Sequence, residues 1–242
     1  MIPVQPVTSR LVRELGPVIR ILTIEREFGC GAPEIAKKLA AYLGWKLWDE
    51  MLTVEIARLS KCPPETVQLL EWRKDPLVYR IFKTFLRGAF EGSLPPTSRL
   101  ELLDAERIAR LSERVVKQAA STGSCVIVGR GSQHFLHDRE DVFRVFLYAP
   151  RDEKIRRLIS AGTPSDQAAV QVDTVDRDRA AFVKKYLGRD WPDRRLYHAM
   201  INTAVGDEAV VNQILSCIRV FDPSFRLSGV RFDGGAPSPS AE

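Results

Sequence analysis

Nowhere in the 242 residues does an apolar run approach the roughly 18 residues that a membrane-spanning helix needs. The opening MIPVQPVTSRLVREL also lacks the long apolar stretch of a secretory signal. Both absences argue against a membrane protein, and the expected location is the cytoplasm. Cysteine is sparse: Cys30, Cys62, Cys125 and Cys217 lie far apart, with no C-x-x-C pair. The three histidines, His134, His137 and His198, are not spaced as a zinc set. A disulfide scaffold and a structural zinc site are therefore not expected. No internal repeat occurs. No basic strip interleaved with aromatics and no nucleic-acid reader motif is found either, so a nucleic-acid partner is not expected. The net charge of +5 still favours some anionic partner, a nucleotide among them.

What is present is the composition of an ordinary globular protein, 45% hydrophobic and 28% charged. Residues 1–17, with two prolines and one short amphipathic stretch, read as an arm. Residues 223–242 end in glycine, proline and serine and read as a disordered tail. Between them, over 18–222, strands and helices alternate. VIRILTI (18–24) is a β-branched run suited to a strand buried on both faces. WKLWD, SCVIVG (124–129), VFRVFLYA (142–149) and HAMINTA (198–204) supply four more strands. GAPEIAKKLAAYLG has helical spacing, with Ile35, Leu39, Tyr42 and Leu43 on one side and Gly44 as a C-terminal stop. DEAVVNQILSCI is the last helix. This rhythm predicts an α/β fold of about five mostly parallel strands with helices on both faces.

Two stretches depart from it. Residues 51–121 carry only helices and turns, an insertion on the acceptor side of the sheet. Its Tyr79, Phe82, Phe85 and Phe90 form an aromatic face suited either to core packing or to a homodimer contact. Residues 151–192 are dense in arginine, lysine and aspartate. Within this lid region, TPSDQAAVQVDTVDRDRAAFVKKYLGRDW (163–191) reads either as a solvated helix laced with ion pairs or as an arginine-bearing lid over phosphates.

The chemistry concentrates at ILTIEREFGCGAPEIAKKLA (21–40), a strand, a glycine turn and a helix. A helix N-terminus offers unpaired N–H groups and the positive end of the helix dipole. Gly29 and Gly31 permit close approach to a phosphate. Pro33 suits the first helical turn, where its missing N–H costs nothing. Against the phosphate-loop pattern G-x-x-x-x-G-K-[ST], however, Arg26 stands at the first glycine, Ala32 at the lysine and Pro33 at the hydroxyl. Cys30 sits in the turn, at a helix N-terminus, where a thiolate is stabilised.

The segment EREFGCGAPEIAKKLAAYLGWKLWDEML resembles the opening of the cytidylate kinase-like family, a divergent branch of the P-loop nucleoside monophosphate kinases whose loop also lacks the lysine. CVIVGRGSQHFL, VFRVFLYAPRDEKIRRLI and DRDRAAFVKKYLGRDWPDRRLYHAMINT resemble, in the same order, that family's third strand with its Gly-Arg-Gly turn, its fourth strand and basic helix, and its lid and fifth strand. Together these cover about residues 18 to 220. The resemblance implies a three-layer P-loop kinase fold and transfer of the ATP γ-phosphate, with magnesium, to a nucleoside monophosphate or similar small acceptor. It departs from the family at Glu25, where serine is usual, and at Ala32-Pro33.

On that reading the loop Arg26, Glu27, Phe28, Gly29, Cys30, Gly31, Ala32 and Pro33 cradles phosphate, chiefly through the backbone of Gly29 to Ala32. Arg26 is the first candidate to replace the lysine, because its fork can hold two phosphate oxygens; it could equally pair with Glu25 or Glu27. Asp49, ending the second strand, could hold magnesium through water, activate an acceptor hydroxyl or cap the next helix. Arg130, between two glycines, could hold an acceptor phosphate or carboxylate, or form a structural ion pair. Arg156, Arg157, Arg177, Arg179, Lys184 and Lys185 are the lid cations expected to cover the transferred group. Arg177 and Arg179 point about 200° apart on a helix and are not expected to share one job. Trp191 is expected to pack within the fold. A retired, purely regulatory nucleotide-binding module and a kinase of a non-nucleotide metabolite remain open alternatives.

Overall fold

The computed structural model describes residues 18–49, 51, 52, 55, 59 and 105–225. The arm (1–17), most of the helical segment 51–121 with its aromatic face, and residues 226–242 lie outside the described residues.

Five parallel strands form one sheet in the order β2-β3-β1-β4-β5. They are β1 (Ile21–Arg26), β2 (Lys46–Trp48), β3 (Cys125–Val128), β4 (Val142–Tyr148) and β5 (Ala199–Asn202). β1 is central. Its Ile21 lies in register with Cys125 of β3 on one side and Val142 of β4 on the other. Strands flanked on both edges and covered on both faces cannot alternate apolar with polar residues, which explains why CVIV is buried throughout. The predicted α/β architecture is therefore present.

The helices are α1 (Ala32–Leu43), α2 (Ala105–Ser121), α3 (Ser132–Phe135), α4 (Arg151–Ser160), α5 (Ser165–Leu187) and α6 (Asp207–Phe221). On one face of the sheet Leu22, Ile24, Val145 and Leu147 pack with Ile35, Ala36 and Leu39 of α1 and with Val210, Ile214 and Ile218 of α6. On the other face Ile21, Cys125, Ile127 and Val142 pack with Leu52 and with Val115, Val116 and Ala119 of α2. The lid stretch is two helices, α4 and the single 23-residue α5. α1 starts at a left-handed Gly31 with proline in its first turn. It stops at a left-handed Gly44, whose N–H donates to the carbonyls of Ala40 and Ala41.

Because every strand runs the same way, the carboxyl ends share one edge. Successive connections leave β1 toward β3 and β2, then cross to β4 and β5 on the far side. Ligands of open α/β sheets bind at that crossing, beside the end of the central strand.

At the opposite edge His198 makes a structural contact. Its Nδ1 accepts from the Arg144 N–H at 3.2 Å, its Nε2 lies 2.8 Å from Arg144 Nη2, and its ring lies against Phe143 and Phe221. Burial, then the Arg144 charge, pulls its pKa down from 6.5 to about 4. Below the unfolded value the unfolded chain gains a proton that the fold refuses. Stability present above pH 6.5 is therefore lost as pH falls toward 4, at up to about 1 kcal/mol per pH unit. Melts across this window should show that slope, and His198→Gln should flatten it; an unchanged slope would assign the acid sensitivity to other groups.

Candidate active site

β1 delivers the chain to the glycine turn, and the turn is built around a close approach by α4. Gly29 (φ +78) and Gly31 (φ +84) are both left-handed, a conformation that side-chain-bearing residues rarely adopt. A Cβ at Gly29 would stand 3.3 Å from Lys154 Cβ and from the Lys154 carbonyl oxygen. One at Gly31 would stand 2.0 Å from Arg157 Nη1. The glycines thus serve two ends: they turn the chain into α1, and they let two basic side chains of another helix lie against the loop. Thr203, after β5, closes the far side by donating from Oγ1 to the Cys30 carbonyl at 2.7 Å.

Cys30 corrects an expectation. It is buried, and its Sγ donates to the Leu147 carbonyl at 3.7 Å. Desolvation pushes its pKa up to about 11, outweighing the Ala32 N–H and the Arg26 and Arg179 charges. Position at a helix N-terminus does not make a thiolate where the sulfur points into the core. Ala32 is fully buried as well.

Arg26 does not run along α1. A Cβ at Gly129 would lie 2.0 Å from Arg26 Nη1, which places the guanidinium against the glycine turn after β3, with Glu25 Oε1 at 3.4 Å. The side chains against the loop come instead from α4 and α5. Lys154, 8% exposed, has its Nζ 2.9 Å from Glu27 Oε2 and 3.5 Å from Asp176 Oδ2. Asp176 accepts from the Phe28 N–H with both carboxylate oxygens, at 2.9 and 3.2 Å. Arg179, 5% exposed, donates to the Arg26 carbonyl and, at 3.0 Å, to Asp176 Oδ1. Burial raises the Asp176 pKa against the pull of Arg179, the Phe28 N–H and Lys154, and burial lowers that of Arg179. Arg157 donates to Asp207 Oδ1 at 3.1 Å and to the Thr203 carbonyl at 2.9 Å, so it spans from Gly31 to the turn after β5.

Arg130 stands at the end of β3 with φ +59, flanked by left-handed Gly129 and Gly131. Among the described residues only Ser124 shares positive φ without being glycine. Such strain costs about 1–2 kcal/mol and is found where a function needs the backbone held so. Asp49 follows β2 at the same edge, and its carbonyl, not its carboxylate, accepts from the Leu52 N–H at 3.2 Å. Arg177 is exposed while Arg179 is buried, as their offset around the helix requires. Arg156 is exposed and held by Glu153, and Lys184 pairs with Asp190 at 2.8 Å. The side chain of Lys185 lies outside the described residues.

Beneath this edge lies a polar cluster that sequence reasoning did not anticipate. Glu25, 3% exposed, accepts from Gln133 Nε2 at 2.8 Å. Trp191 packs edge-on against Phe146, and Arg179 lies 5.3 Å above its ring. Burial pushes the Tyr197 hydroxyl pKa up, with Glu25 adding to it.

The parallel order with β1 central, the glycine turn into α1 and the basic helix after β4 define a P-loop kinase fold. The model of the cytidylate kinase-like family matches residues 21–205, about three quarters of the chain, and the chain belongs to that family. A comparison with curated proteins gives no significant match. Among solved structures, an uncharacterised protein from Eubacterium ventriosum is similar at TM-score 0.56 and 24% identity, over 83% of this chain and 98% of that one. A shikimate kinase from Acinetobacter baumannii in complex with shikimate matches at TM-score 0.48 and 16% identity, over 84% and 94%. A gluconokinase from Sinorhizobium meliloti matches at 0.45 and 13%, over 86% and 96%. The first of these speaks to fold alone.

Proposed function

We propose that the chain binds ATP at the Gly29–Gly31 turn and transfers its γ-phosphate to a small acceptor, with a nucleoside monophosphate as the first expectation. The observation that carries this reading is the turn itself: two left-handed glycines leading into α1, with Lys154 and Arg157 laid against them. Phosphoryl transfer needs little covalent help from a protein; it needs the phosphates positioned and their charge neutralised. The loop N–H groups would hold the phosphates. Arg157 would meet the nucleotide between Gly31 and the Thr203–Asp207 turn. Arg130, fixed by a strained backbone beside the end of β1, would hold the acceptor's phosphate or carboxylate.

Magnesium fits this site in a limited way. Among the described residues no group of three or more His, Cys, Asp and Glu side chains is placed for a metal ion. Magnesium commonly keeps several waters and takes one or two carboxylates plus substrate phosphates, and Asp49 at the carboxyl edge would serve as one of these through water. When bound, the ion would neutralise charge between the outer phosphates.

A second reading is a retired nucleotide-binding module. It is favoured by Ala32 and Pro33 and by the carboxylates of Glu27 and Asp176 at the loop. The deciding experiment follows label from γ-labelled magnesium-ATP across a panel of nucleoside monophosphates, nucleosides, sugars and small hydroxy acids. Acceptor-dependent incorporation that drops at least tenfold in Arg130→Ala supports the kinase reading. ATP binding with no transfer to any acceptor supports the retired module.

A further inference from the structure

The loop that would take a phosphate already holds an anion of the chain's own. Both oxygens of Asp176, on α5, face the Phe28 N–H, at 2.9 and 3.2 Å. Two cations flank the same carboxylate, Arg179 at 3.0 Å and Lys154 at 3.5 Å. A planar anion on a loop N–H between a guanidinium and an ammonium is the environment that outer phosphate oxygens require. A second observation points the same way. Arg179 is 5% exposed, yet its Nε has no hydrogen-bond partner among the described residues. A buried N–H left unpaired costs about 1–3 kcal/mol and calls for an explanation. The guanidinium that holds Asp176 thus keeps a donor that the carboxylate leaves unused.

Resting on the phosphate-loop reading above, we infer that Asp176 is an internal stand-in for the outer phosphate. An incoming polyphosphate displaces it from the Phe28 N–H and takes over Lys154 and Arg179. Lys154 then supplies, from α4, the charge that Ala32 cannot supply from α1. The sign of each contact fits. With Asp176 seated, the carboxylates of Glu27 and Asp176 offset the charges of Lys154 and Arg179 and weaken their pull on an anion. With Asp176 displaced, a net positive charge faces the loop.

The test is calorimetric titration of the full chain with ATP, inorganic tripolyphosphate and adenosine. Asp176→Asn keeps the shape and an acceptor for Phe28 but removes the competing charge. It should bind ATP and tripolyphosphate about tenfold more tightly, with adenosine unchanged. Lys154→Ala should bind both polyphosphates about tenfold more weakly, and Lys154→Arg should restore part of the loss. Melting curves establish that each variant folds, and Asp176→Ser serves if the asparagine does not. A folded Asp176→Asn that binds tripolyphosphate no better than the parent overturns the inference, even where the parent transfers phosphate. Tighter binding without transfer to any acceptor upholds it and removes the kinase reading alone. If neither the parent nor the variant binds ATP or tripolyphosphate, both readings fall together.

Discussion

Gly31→Ala is expected to destabilise the fold by about 2 kcal/mol and to weaken ATP binding about a hundredfold. Two costs add at this position. The backbone is left-handed (φ +84), which costs an alanine about 1–2 kcal/mol. The new methyl would also stand 2.0 Å from Arg157 Nη1 and 3.1 Å from its Cζ. The guanidinium is the far end of a flexible chain, so the methyl wins and Arg157 moves. It then loses Asp207 and the Thr203 carbonyl, the two contacts that hold it toward the turn after β5, and keeps only Glu153 of its own helix. Gly44→Ala is the matched control. Gly44 is equally left-handed (φ +64), but a Cβ there meets nothing within 4 Å. It should lose stability by the backbone cost alone and leave ATP binding untouched. Denaturant titration with calorimetric binding separates the two, and equal binding losses in both variants would mean that Arg157 has no part in holding the nucleotide.

Much of the scaffold behind that prediction was legible in the sequence, because it is written in short-range pattern. Apolar runs that need cover on both faces gave β1, β3 and β4, and Pro33 and Gly44 bracketed α1. The site was only half legible. Gly29, Gly31 and Arg130 announce themselves by residue type beside a strand end. Lys154 does not. It sits in RDEKIRRLI, a basic helix that marks no position for burial, and its burial follows from where α4 lies relative to a loop 127 residues away. Asp176 and Phe28 are separated by 148 residues, and a helical pattern dense in Arg, Lys and Asp carries no mark of which member turns inward. The same blindness produced the expectation about Cys30. Its place at a helix N-terminus is local and readable, whereas its burial under β4 is tertiary. Lys154 lies against the loop from a distant element, a placement that no spacing rule can find.

Arg179→Met should cost about 3–5 kcal/mol, and in a domain of this size should lower the melting temperature by about 10 °C. The side chain is 5% exposed, and burial already strains its charge, as the lowered pKa of the guanidinium records. It is kept by three contacts: the Arg26 carbonyl, Asp176 Oδ1 and the face of Trp191. Methionine preserves length and packing on Trp191 but removes both polar contacts. The Arg26 carbonyl loses its donor from α5, and Asp176 retains Lys154 at 3.5 Å as its near cation. The penalty lies chiefly in that carboxylate, which loses its nearer cation and keeps only Lys154 and the Phe28 N–H, so it should shrink when the carboxylate goes too. The double variant Asp176→Asn, Arg179→Met should recover at least 1 kcal/mol over the single one, a coupling that independent sites do not show. Arg177→Met, two residues earlier on the exposed side of α5, should change stability by less than about 1 kcal/mol. Equal losses for Arg177 and Arg179, or strict additivity with Asp176, would show that α5 is held to the loop by its apolar residues and that the buried ion pair contributes nothing to keeping the site closed.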